Sequence, residues 1–104
     1  MLEVLTTDDG DLVICPHGEM DPDDSGELRH MLVHAVRRIR PPRLILDLGD
    51  VPTLDSINVG TVAAACEMGD DHAVTVLVQN PSARLAGQLA AAGVPRQRVR
   101  GGDQ

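Results

Sequence analysis

The side chain with the clearest chemical potential is a serine that directly follows an acid, Asp55-Ser56. The apolar run Leu44–Leu48 before it is typical of a buried strand, and turn residues at 49–52 end that strand. Val59–Met68 is rich in small residues and predicts a helix, so the Asp55-Ser56 pair stands at a helix N-terminus. A hydroxyl there can cap free N–H groups or carry a phosphate that these groups and the helix dipole help to hold. The acid is itself a candidate cap.

Other residues support weaker chemical hypotheses. His30 and His34 are four residues apart and share a helix face, as metal ligands can, but no third ligand accompanies them. A Cys15 nucleophile, or a carboxylate pair of Asp47 and Asp55, would need a pocket, and the sequence has no obvious lid or cleft-forming insertion. We interpret Asp47 as a buried polar residue with a structural partner, and His30 and His34 as part of a solvated helix face. The sequence also lacks a phosphate-binding or dinucleotide motif, so we predict no metal, no cofactor and no enzymatic activity. A small hydrolase is the alternative from another functional class.

Composition narrows the possible partners. The 104 residues carry a net charge of −7 and contain no Phe, Tyr or Trp, which argues against binding a phosphate backbone or stacking on nucleobases. The sequence has no apolar run of membrane-spanning length and no signal peptide, so we predict a cytoplasmic protein without a membrane partner. Cys15 and Cys66 lie among apolar residues and are interpreted as small hydrophobic side chains, not as a disulfide.

Hydrophobic patterning predicts one domain over residues 1–104, with alternating strands and helices after an initial hairpin. The predicted strands cover Leu2–Thr6, Asp11–His17, Leu44–Leu48 and Ala73–Val78, and the predicted helices cover Pro22–Ile39, Ser56–Met68 and Ala83–Ala92. Asp21 is the expected cap of the first helix, and Ala73–Val78 reads as a central strand covered on both faces. Residues 95–104 read as a flexible tail with a weak strand candidate around Val99. This order predicts an α/β fold, a mixed β-sheet of about four to five strands with three or more helices packed on it.

The order of elements and several short motifs resemble the STAS domain of bacterial anti-sigma-factor antagonists, over about nine-tenths of the chain. The matching segments are Gly18-Glu-Met-Asp21, Leu44-Ile-Leu-Asp-Leu48, Val51-Pro-Thr-Leu-Asp-Ser56, Gly60 and Asn80-Pro-Ser82. Two departures fall inside the family's serine signature, where Ile57 replaces a serine and Asn58 replaces a glycine. Asparagine tolerates positive φ better than other non-glycine residues, so Asn58 is compatible with the glycine's backbone conformation.

The resemblance implies regulation of transcription by exchange of partners. The unmodified protein would bind an anti-sigma factor that is also a serine kinase and would thereby free the sigma factor. Phosphorylation of Ser56 would break the complex, and a PPM-type phosphatase would restore it. The residues that the resemblance places at the partner surface are Asp21, Asp55, Ser56, Ile57 and Asn58. A non-phosphorylated adaptor or a ligand-sensing module of the same fold is the alternative.

Overall fold

The computed structural model describes residues 1–101, which form one five-stranded mixed sheet and three α-helices. The strands are β1 (Leu2–Thr6), β2 (Leu12–Pro16), β3 (Arg43–Asp47), β4 (Thr75–Gln79) and β5 (Val99–Arg100), and the helices are α1 (Pro22–His34), α2 (Ser56–Asp71) and α3 (Ala83–Ala91). Strand β1 is antiparallel to β2, and β2 to β5 are parallel in chain order. The predicted fold class and the positions of the predicted elements are confirmed.

All three helices pack on one face of the sheet. Alternate residues of the parallel strands share a single core with the apolar sides of α1, α2 and α3. Its strand and helix members include Ile14, Leu46, Val78, Leu28, Leu32, Val62, Leu85 and Leu89. The arrangement follows from topology, because right-handed crossovers between strands in sequential order place every helix on the same side.

The opposite face of the sheet is not covered by any of the three described helices, so one prediction about β4 was wrong. Strand β4 was predicted to be covered on both faces, but within residues 1–101 no helix packs against the side that carries Leu77. Leu77 continues an apolar row through directly paired residues, Leu5 on β1, Val13 on β2 and Ile45 on β3. Ile45 and Leu77 are only 5% and 9% exposed, whereas Val13 is partly exposed and Leu5 on the edge strand β1 is 47% exposed. The apolar run therefore indicated a central strand, not a strand between two helix layers.

The helix ends follow their local sequence. Asp21 caps α1 through its side chain and forms a reciprocal capping box with Asp24, and Pro22 occupies the first turn as predicted. The last turn of this helix widens into a π-helical turn, Ala35–Ile39, and Arg40 ends it in a left-handed conformation with φ 51°. The sequence before Pro41 predicted the end but not the widening.

The C-terminal segment is more structured than its composition suggests. A 3-10 turn at Arg96–Arg98 leads into β5, which pairs with β4 and corrects the prediction of a flexible tail for residues 96–100. The Arg100 guanidinium donates to Gln79 Oε1 at 3.1 Å, and Arg98 pairs with Asp70. Residues 102–104 of the predicted tail lie outside the described residues.

Candidate functional site

The start of α2 resolves which residue caps the helix. Asp55 is the N-cap, and its Oδ1 accepts a hydrogen bond from the Asn58 backbone N–H at 2.8 Å. Ser56 is the first helical residue and its side chain is exposed. Within residues 1–101 the Ser56 hydroxyl has no side-chain hydrogen bond. The hydroxyl is therefore not needed for capping and stands at the positive end of the helix dipole.

The loop between β3 and α2 holds this turn in place by burying apolar residues. Val51 and Leu54 are each 4% exposed and belong to the core, so the loop cannot move away from the sheet without exposing them. Asp47 Oδ1 accepts from the Gly49 N–H at 2.9 Å and forms the turn that leaves β3. Asp47 therefore has the predicted structural partner, but it is only partly buried, not buried as predicted.

His17 connects the same loop to β1, the antiparallel edge strand of the sheet. The His17 ring contacts Asp50 Oδ2 through Nδ1 at 2.8 Å and Glu3 Oε1 through Nε2 at 2.9 Å. The Gly18 N–H also donates to the Asp50 carbonyl at 2.9 Å. Hydrogen bonds to Glu3 and Asp50 raise the pKa of His17, because both carboxylates favour the imidazolium form. Sequence reasoning missed this contact, since its three residues lie far apart in the chain.

The backbone conformation of Asn58 differs from the one that the sequence predicted. It lies inside α2 and is not among the residues with positive φ, so it does not reproduce a left-handed glycine. Its side chain is 2% exposed, and its Nδ2 donates to Ser25 Oγ at 2.9 Å. Asn58 therefore joins the first turns of α1 and α2 from within. Of the five residues predicted to contact a partner, it is the one that the structure buries.

The other four predicted residues are exposed on two neighbouring helix starts. Asp21 begins α1, Asp55 begins α2, and the contact between Ser25 and Asn58 holds the first turns of these helices together. Ile57 follows Ser56 and is 75% exposed, a large exposure for an apolar side chain beside an acidic turn. The sequence offered no signal for Ser25, because a contact across 33 residues leaves no local pattern.

Of the residues in the hydrolase alternative, Asp55 caps α2, whereas Cys15 and Asp47 lie in a separate depression that Asp55 does not line. Cys15, His17, Asp47 and Asp50 line a depression of about 260 Å³ at the carboxyl ends of the parallel strands. Burial and the charges of Asp47 and Glu3 raise the pKa of the Cys15 thiol, whereas a nucleophilic cysteine needs a lowered one. Both ring nitrogens of His17 already contact carboxylates. Cys15 and Cys66 are both free thiols, as predicted.

Comparison with protein families places this geometry in a known fold. The STAS domain model matches residues 4–97, which is most of the chain. The chain belongs to the STAS domain family. A comparison with curated proteins found no significant match. No helix within residues 1–101 is both long enough and apolar enough to cross a membrane.

Solved structures of this STAS chain's relatives share its architecture at low sequence identity. The phosphorylated form of SpoIIAA, a Bacillus cell fate determinant, is 17% identical with a TM-score of 0.82, covering 100% of this chain and 93% of that one. Unphosphorylated SpoIIAA, described as an anti-sigma factor antagonist, is 20% identical with a TM-score of 0.73, covering 84% and 79%. A variant of RsbS from Moorella thermoacetica is 13% identical with a TM-score of 0.79, covering 99% and 86%.

Proposed function

We propose that this STAS protein is a cytoplasmic anti-sigma-factor antagonist that is switched by phosphorylation of Ser56. In its unmodified form it binds an anti-sigma factor with serine kinase activity and releases the sigma factor. Phosphorylation ends that complex, and a PPM-type phosphatase reverses the modification. The observation that carries this proposal is the exposed Ser56 hydroxyl, which is free because Asp55 caps α2 in its place. The likeness to SpoIIAA supports the same role.

The charges around Ser56 explain why phosphorylation would release a partner. A phosphate adds about −1.5 to −2 charges at neutral pH and would lie next to the Asp55 carboxylate, in a protein of net charge −7. The N-terminus of α2 offsets part of this repulsion, by about 0.3–2 kcal/mol, so the modified protein stays folded. A partner that contacts the apolar Ile57 beside this charge would have to desolvate the phosphate. The partner surface in this proposal comprises Asp21, Asp55, Ser56 and Ile57, with Asn58 positioning them from below.

Phosphopeptide mapping tests the modification. The purified chain is incubated with ATP and an extract of its native cells, and the parent is compared with Ser56→Ala and Ser82→Ala. Ser82 is a matched control because it also starts a helix, but its hydroxyl is occupied by the Leu85 N–H at 3.1 Å. We expect phosphate on Ser56 in the parent and in Ser82→Ala, and none in Ser56→Ala. Phosphate at another residue, or none at all, would refute the proposed switch.

Affinity for the anti-sigma factor tests the consequence of the modification. We expect Ser56→Asp to weaken binding of the anti-sigma factor at least tenfold, since a misplaced like charge costs more than 1.4 kcal/mol. Ser56→Ala should bind more tightly than Ser56→Asp, because it adds no charge to the proposed partner surface. Equal binding of Ser56→Asp and the parent would show that charge does not control the complex.

A ligand-sensing module is the second candidate function. One observation favours it, an apolar groove of about 370 Å³ between α1 and α2 whose rim includes Ile57. The Ser56 hydroxyl lies outside the groove lining, whereas Ile57 belongs both to the groove rim and to the proposed partner surface.

A further inference from the structure

The groove between α1 and α2 has an almost entirely apolar lining. Its walls and floor include Leu32 and Val33 from α1 and Ile57, Ala64, Ala65 and Met68 from α2. From Ile57 to Met68 the helix rises about 16 Å, which gives the groove its length. Its volume of about 370 Å³ lies within the range of small-molecule sites, which are mostly apolar with a few polar groups.

Small residues on α2 keep the groove open. Gly60 and Ala64 are exposed one helical turn apart and line the groove together. A Cβ built on Gly60 would meet no atom within 4 Å, so the space above it is empty of protein. Ile57 stands 75% exposed at one end, where an apolar ligand would shield it from water.

Arg29 and Thr61 make the end of the groove near Ile57 its polar end. Arg29 lines both the groove and an adjoining niche of about 190 Å³ that it shares with Ser25, Asn58 and Thr61. Among residues 1–101 no carboxylate forms a salt bridge with Arg29, although the chain contains 16 acidic residues. The positive end of the α2 dipole points the same way.

We propose that the α1–α2 groove binds a single-chain alkyl carboxylate of medium length. The carboxylate pairs with the Arg29 guanidinium at the polar end, and the alkyl chain lies along Ala64 and Ala65 toward Met68. Arginine is suited to the headgroup because its planar fork of N–H donors matches a carboxylate. The apolar lining leaves no second charged group for a ligand with a charge at both ends. The site shares Ile57 with the proposed partner surface, but its ligand can bind without phosphorylation of Ser56.

Methyl NMR of the full chain with decanoate tests the proposal. The probes are the Ile δ1 and Met ε methyl groups, and decanoate is kept below its micelle-forming concentration. We expect saturable shifts at Ile57 and Met68, which line the groove, and no shift at Ile45, which lies on the opposite face of the sheet. Decylamine, which carries the opposite charge on the same chain, should bind at least tenfold more weakly.

Two pairs of variants locate the ligand. Ala64→Leu fills the groove and should abolish the shifts, whereas Ala90→Leu, an equivalent change at an exposed position of α3, should not. Arg29→Gln should weaken decanoate binding about tenfold, because it removes one charge-assisted hydrogen bond. The control Arg84→Gln should leave decanoate binding unchanged.

Three results would overturn the proposal. They are the absence of saturable shifts in the parent, equal binding of decanoate and decylamine, and decanoate binding that survives Ala64→Leu. If decanoate does not bind but Ala64→Leu weakens the complex with the anti-sigma factor, the groove belongs to the protein partner and the alkyl carboxylate site is refuted. Because the parent can bind decanoate without any kinase, failure here leaves the Ser56 switch to its own test.

Discussion

At the scale of single residues, the site depends on the different roles of two neighbouring residues, Asp55 and Ser56. Aspartate and serine are both good N-cap residues, so the sequence Asp55-Ser56 placed the helix start within one residue and left the cap open. The structure gives the cap to Asp55 and thereby leaves the Ser56 hydroxyl exposed. Asn58 shows the opposite outcome, because its burial depends on a contact with Ser25 that no local pattern encodes.

Alanine variants at the helix starts should separate capping residues from the phosphorylation site. We expect Asp55→Ala and Ser82→Ala each to lower the free energy of unfolding by about 1 kcal/mol, since each removes a side chain that accepts from a backbone N–H. Ser56→Ala should change it by less than about 0.5 kcal/mol, as a surface substitution without a lost contact. Urea unfolding monitored by circular dichroism measures all three. A loss in Ser56→Ala as large as that in Asp55→Ala would contradict the assignment of the cap.

At the scale of elements, the loop before α2 is held from two sides. On one side, the apolar residues Val51 and Leu54 attach the loop to the core, and their apolar character is visible in the sequence. The other side is His17, which connects the end of β2 to Asp50 in the loop and to Glu3 on β1. Periodicity finds strands and helices from neighbours in the chain, but it cannot find a contact among three separate elements. The groove between α1 and α2 escaped sequence analysis for the same reason.

The raised pKa of His17 predicts a pH dependence of stability. A histidine whose pKa is higher in the folded than in the unfolded chain stabilises the fold fully below the unfolded pKa, about 6.5. This stabilisation is lost as the pH rises through the folded pKa, because the neutral ring no longer attracts both Glu3 and Asp50. The free energy of unfolding of the parent should therefore fall relative to that of His17→Gln as the pH increases from 6 toward 8.

Urea unfolding at several pH values measures this difference. His34→Gln is the control, because His34 is an exposed histidine on α1 that forms no salt bridge with an acid among residues 1–101. Its pH profile should follow that of the parent. Parallel profiles for the parent and His17→Gln would show that the His17 contacts add no stability.

At the scale of the whole molecule, the sheet has two unlike faces. The face under the helices was predictable, since alternate strand residues and the helix stripes are apolar in the sequence. The other face was not, because Ile45 and Leu77 complete apolar runs that look the same as those of a strand buried between two layers. Topology decides between these cases, and strand order is not visible in local patterning.

Two leucine-to-alanine variants on adjacent strands should show how differently the two faces are packed. Leu46 is fully buried beneath the helices, so Leu46→Ala leaves a closed cavity and should lower the free energy of unfolding by about 2–5 kcal/mol. Leu77 lies on the face without helices, where water can fill the space, and Leu77→Ala should cost at most about 2 kcal/mol. Urea unfolding compares them, with Ile57→Ala as an exposed control that should cost less than about 0.5 kcal/mol. Equal losses at the two leucines would mean that something also covers the second face in solution. A dependence of the Leu77→Ala loss on protein concentration would then identify the cover as a second copy of the chain.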